Sequence, residues 1–115
     1  MNSQNDNPLP KDVYQYMLRF LPPDSREPQD LHHSLFEKGL VRGMPIEVRR
    51  MIHDPMNLLW VPKKSHASHA SIPSKQEAYQ LLCERFGVEA IEQYVTEMLG
   101  KFKYPPFTLE SLQGE

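Results

Sequence analysis

Cysteine is almost missing from this chain. Its single thiol, Cys83, excludes an internal disulfide and a cysteine-rich zinc knuckle, so any metal would have to be held by histidines, carboxylates and ligand oxygens. Also missing is a run of about 18 apolar residues, the length that a membrane-spanning helix needs. The polar opening MNSQNDNPLP lacks the basic and then apolar character of a secretory leader. The expectation is a cytoplasmic protein without a membrane partner. An excess of positive charge is lacking too. The formal net charge of −2 and a pI near 6.2 exclude a generic basic nucleic-acid binder, whose nonspecific affinity comes from Lys and Arg neutralising phosphates.

What the chain does have is proline. Eleven prolines in 115 residues, with a mean hydropathy of −0.59, predict one small domain cut into short elements by irregular connections. Residues 1–9 are polar and expected to be flexible. Pro10 suits the first turn of a helix whose Val13, Tyr14, Met17, Leu18 and Leu21 recur at helical spacing, and Pro22 and Pro23 stop it. Leu31, His33 and Leu35 alternate with His32, Ser34 and Phe36, which predicts a short strand. A connection from about Glu37 to Pro55 follows, with a helical turn or two over IEVRRMI. NLLWVP reads as a second strand and SHASHAS as a short helix. Ser74 with Glu77 forms a capping-box pattern ahead of a helix that ends at Gly87, and a second helix spans Val88 to Leu99. The expected arrangement is α+β, a two-stranded antiparallel hairpin plus helix surrounded by further helices. Residues 74–100 would be its helical support, packed on the first helix and the hairpin, and 101–115 an irregular tail that wraps the domain or meets a partner.

Charge is unevenly spread. Between Glu37 and Lys64 the cations Lys38, Arg42, Arg49, Arg50, Lys63 and Lys64 outnumber Glu37, Glu47 and Asp54, whereas acids dominate from Lys75 onward. Such asymmetry suits a substrate-facing half and a solvent-facing half. Arg42, Arg49, Arg50, Lys63 and Lys64 are therefore candidate phosphate contacts.

The basic stretch surrounds four of the five histidines and an asparagine: His32 and His33, then Asn57, then His66 and His69. Phosphodiester hydrolysis needs a nucleophilic water, charge stabilisation on the phosphoryl oxygens and help for the departing alkoxide. His32, His66 and His69 are suitable imidazole ligands for one divalent metal ion (Mg, Mn, Ni or Zn) with open positions left over. His33 is then the candidate general base, since an unperturbed imidazole titrates at about 6.5. Asn57 has no acid or base chemistry, but its amide can bond across the hairpin and hold the base in place. His53 lies outside this set, Trp60 and Leu59 read as core, and Cys83 reads as a small buried apolar residue.

The blocks LHHSLF, DPMNLLWVPKKSH and SHASH, in that order, resemble the HNH endonuclease motif over about Asp30 to His69. The resemblance implies a ββα-metal nuclease core of the kind shared with colicin-type DNases and phage or homing nucleases. It implies that His32 is a metal ligand, His33 the base, Asn57 the middle letter of the motif and His66 the final ligand. Two features depart from the pattern: a long His33 to Asn57 connection, and a second helix histidine, His69, three residues after His66 where four is the commoner spacing. Hydrolysis of DNA to 3′-hydroxyl and 5′-phosphate ends, with loose specificity or nicking, is the implied activity. Other phage or mobile-element proteins are the implied company. The competing readings are a noncatalytic nucleic-acid-binding module with a structural zinc, which would have no use for His33 or Asn57 in these roles, and an RNA-directed nuclease on the same core.

Overall fold

Short elements joined at prolines and polar turns do form an α+β arrangement. The computed structural model describes residues 7–23, 26–68 and 72–114, and among them are one two-stranded antiparallel sheet and six helices. In chain order these are α1 (Lys11–Met17), β1 (Gln29–His33), α2 (Ile46–Met51), β2 (Leu58–Pro62), α3 (Lys63–Ser68), α4 (Lys75–Phe86), α5 (Val88–Leu99) and α6 (Leu109–Leu112). None of the described helices is long and apolar enough to cross a membrane.

β1 and β2 pair with Gln29 opposite Pro62, Leu31 opposite Trp60 and His33 opposite Leu58. The first strand starts two residues earlier than the alternation of Leu31 to Phe36 suggests and ends at His33. Its end is set from the other strand. The Ser34 amide still reaches the Asn57 carbonyl at 2.7 Å, but the next two amides, of Leu35 and Phe36, donate to the Asn57 side chain instead. Beyond that point these N–H groups are satisfied by a side chain rather than by the facing strand.

The segment after β1 turns its apolar residues inward. Leu35 and Phe36 are fully buried with Val41, Val48, Ile52 and Leu59 against Ala78, Leu82, Ile91, Val95 and Met98 of α4 and α5. Phe36 sits among Tyr94, Phe102 and Phe107, with ring centroids 6.0, 6.2 and 5.2 Å away. Burying such a ring contributes about 1.5–3 kcal/mol. The Tyr94 hydroxyl donates to the Met51 carbonyl at 2.8 Å, tying α5 to the end of α2.

α4 begins with the expected capping box, in which the Ser74 hydroxyl accepts from the Glu77 amide and the Glu77 carboxylate from the Ser74 amide. Gly87, at φ +95°, turns the chain directly into α5. That backbone is costly for any residue with a Cβ. The first helix meets this pair through its continuation, a 3-10 turn at Leu18–Phe20, where Phe20 lies against Phe86 and under the Arg85 guanidinium. The tail wraps the domain. Phe102 and Phe107 pack on Phe36, and Thr108 caps α6, whose Leu112 is buried. Four residues are too few to show a helical period in the sequence.

Candidate functional site

Side chains alternate across a strand, so the adjacent histidines at the end of β1 face opposite ways. His32 shares its face with Asp30, and α3, which follows β2 without a loop, brings His66 to that face. The His32 and His66 rings lie edge to face with centroids 5.1 Å apart. His66 Nδ1 is 3.0 Å from the Asp30 carboxylate, and both side chains are partly open to solvent, at 32% and 42% exposure.

His33 goes the other way, to His53 at the end of the α2 segment. His33 Nε2 and His53 Nδ1 are 3.0 Å apart, again with ring centroids 5.1 Å apart. His53 is only 2% exposed. Its Nε2 lies 3.1 Å from the Asn7 backbone oxygen and 3.0 Å from Asn7 Oδ1, while Asn7 Nδ2 donates to the Arg49 carbonyl at 2.7 Å. Asn7 belongs to the polar segment expected to be flexible, yet it is built into this contact.

Burial sets the protonation of both rings. It lowers the His33 pKa to about 3, helped by the positive charge that His53, Lys38, His32 and His66 bring near it. Burial also lowers His53, with the Asn7 hydrogen bond opposing and Lys38 adding to the effect. Near neutral pH each ring is therefore neutral and carries one bare nitrogen, and the lowered His33 is a weaker base than the unperturbed imidazole expected from the sequence.

Asn57 is fully buried and its amide is saturated. Oδ1 accepts from the Leu35 and Phe36 amides, both at 2.8 Å, and Nδ2 donates to the Phe36 and Ile52 carbonyls at 2.9 and 2.8 Å. It clamps both ends of the long connection between the strands. With every amide hydrogen and two acceptor positions used, Asn57 acts by holding the chain on either side of His33 and His53 rather than by meeting a ligand.

Of the basic candidates, Arg42, Arg50, Lys63 and Lys64 are exposed. Arg49 is half-buried and its Nε donates to the Met44 carbonyl at 3.0 Å, so part of that guanidinium serves the loop. Lys38 is near enough to help depress His33 and His53. His69 lies outside the described residues.

His32 and His66 are the two imidazoles brought together, and Asp30 occupies one nitrogen of His66 so that Nε2 is the nitrogen left to face a cation. Carboxylate contacts of this kind orient metal-binding histidines. Among the described residues no three His, Cys, Asp or Glu side chains converge on one point as a ready ligand set. The donors present therefore suit a cation that completes its coordination with other oxygens or nitrogens.

Sequence reasoning passed over His53, Asn7 and Asp30. The signal for Asp30 was legible, since it lies two residues before His32 on the same strand face. His53 and Asn7 have no such signal, being 46 residues apart in the chain. No protein-family model, curated protein or solved structure matches the chain.

Proposed function

We propose that the protein is a metal-dependent endonuclease of the HNH type, with β1, β2 and α3 as its ββα-metal core, hydrolysing phosphodiester bonds in DNA. The observation that carries this reading is the split between neighbouring histidines: His32 meets His66 beside a carboxylate, while His33 is held neutral on a separate hydrogen bond. Hydrolysis needs both a cation-holding pair and a base that the cation does not consume, and adjacent residues at the end of β1 supply these two kinds of imidazole from opposite faces of the strand.

His32 and His66 would hold the cation, with His69 as the further candidate ligand. When bound, such a cation supplies positive charge against the phosphoryl oxygens and the leaving oxygen. The bare nitrogen of His33 takes a proton from water as the water oxygen attacks phosphorus. The P–O3′ bond breaks, O3′ leaves with the electron pair and takes a proton from solvent, and the products are a 3′-hydroxyl and a 5′-phosphate. Asn57 keeps the two ends of the loop fixed while this happens. Arg42, Arg50, Lys63 and Lys64 are exposed on a chain of otherwise acidic balance and would receive neighbouring phosphates of the strand.

The test is cleavage of supercoiled plasmid by metal-stripped protein resupplied with Mg, Mn, Ni or Zn, beside His33→Ala and beside an RNA of similar length. Nicking or linearisation by the wild type, lost in His33→Ala with metal binding retained, is the expected result. A protein that binds metal and DNA but cuts under none of the four ions overturns the reading, and cleavage confined to RNA with a cyclic phosphate end moves it to another substrate.

A further inference from the structure

We propose that His53 and Asn7 are positioning residues that fix His33 as the Nε2–H tautomer and leave its Nδ1 bare. The inference rests on the nuclease reading for its purpose, while the tautomer itself can be measured whether or not the protein cuts.

Asn7 Nδ2 donates to the Arg49 carbonyl at 2.7 Å, which fixes the amide with Oδ1 toward His53. Two acceptors, Asn7 Oδ1 at 3.0 Å and the Asn7 backbone oxygen at 3.1 Å, then face His53 Nε2. A bare nitrogen there would set three lone pairs against one another in a buried place, so Nε2 carries the hydrogen. A neutral imidazole has only one N–H, so His53 Nδ1 is bare and accepts. Its neighbour at 3.0 Å is His33 Nε2, which must therefore carry hydrogen and donate. His33 Nδ1 is the remaining nitrogen, and it is bare.

A free imidazole exchanges between tautomers and rotates its ring, so only part of its population presents a lone pair in a given direction. Here the relay does what a carboxylate or carbonyl does for other catalytic histidines: it selects one tautomer and one ring orientation. It does so without a negative charge, which suits a site that must attract an anionic phosphate.

Two substitutions separate positioning from mere support. His53→Asn puts an amide oxygen near the vacated Nδ1 and keeps an acceptor for His33, whereas His53→Leu keeps apolar bulk and removes the acceptor. In His53→Leu, kcat for plasmid nicking should fall by about 10- to 100-fold with KM little changed. His53→Asn should recover most of that loss. Asn7→Ala, which leaves its backbone oxygen in place, should cost less than His53→Leu and should fold where that variant does not. Long-range proton–nitrogen correlation spectra of the metal-free protein read the tautomer directly. The expected wild-type spectrum has His33 protonated at Nε2 and bare at Nδ1, and His53→Leu should turn it into a mixture.

A wild-type His33 protonated at Nδ1 overturns the inference, as do equal losses in folded His53→Asn and His53→Leu with an unchanged His33 spectrum. A wild type that never cuts removes the nuclease reading alone, and the same spectra then support or overturn the tautomer assignment.

Discussion

Two histidine pairs flank one strand end, each with ring centroids 5.1 Å apart, and their surroundings differ. His32 and His66 stand half-open beside the Asp30 carboxylate, so a cation can reach them and a negative charge is waiting. His33 and His53 are closed in by the loop, with an amide in place of a carboxylate and Lys38 nearby, so added positive charge is resisted. The residue types are the same, and solvent access and the third partner decide the chemistry. Adjacent positions on a strand serve both pairs because the strand separates them by default.

The sharpest way to break this comparison is to remove one ring from each pair. His33→Ala should lower kcat for plasmid cleavage by roughly 10²- to 10⁴-fold, the range typical of a lost general base, while calorimetric titration with Zn or Ni remains near wild type. His66→Ala should do the reverse in the titration, abolishing or greatly weakening metal binding. Equal loss of metal affinity in both variants would mean that the two pairs form one site and that the division is wrong.

Asn57 ties the segment after His33 to the segment before His53, so its removal tests how far the closed pair depends on that frame. Asn57→Ala deletes four buried hydrogen bonds and leaves the Leu35 and Phe36 amides without partners. A loss of about 2–4 kcal/mol is expected from the unmet buried groups, measured as a lower urea midpoint at unchanged slope. A loss under about 0.5 kcal/mol, the range of ordinary surface substitutions, would show that the loop is held elsewhere.

Much of the frame is legible in the residues themselves. The alternation around His32, the NLLWVP run, the Ser74–Glu77 cap and Gly87 each carry a local physical rule, and each of these elements forms. The end of β1 is less legible, because Leu35 and Phe36 continue the apolar alternation and leave the strand only through the side chain of a residue 22 and 21 positions away. His53 and Asn7 are illegible for the same reason in stronger form. Their partnership exists only once α2 has packed, and neither residue type advertises it. The expectation that His32 and His66 lie together comes from motif spacing, whereas the place of Asp30 beside them needs only the strand period, which the motif does not name.

Asp30 offers a smaller and cleaner perturbation of the open pair. Asp30→Asn keeps an oxygen near His66 Nδ1 but removes the charge, so metal affinity should fall by about tenfold, the low end for loss of such a contact. The spectrum of His33 should stay as it was. A change at His33 would mean that the two faces of β1 communicate through the strand.

The remaining effect comes from pH, and it belongs to the closed pair. In the unfolded chain both imidazoles titrate near 6.5, whereas in the folded protein His33 is lowered to about 3 and His53 is lowered as well. Below pH 6.5 the unfolded state therefore binds protons that the folded state refuses, and stability must fall as the pH drops from there toward 3. Above 6.5 both states are neutral and this contribution is fully present. Thermal unfolding of the metal-free protein should show a melting temperature that declines across that window. The decline should be shallower in His33→Gln, which has no proton to take up, and shallower again with His53→Asn added. An equally steep decline in the double variant would assign the acid sensitivity to other groups and take from the closed pair its claim to remain uncharged.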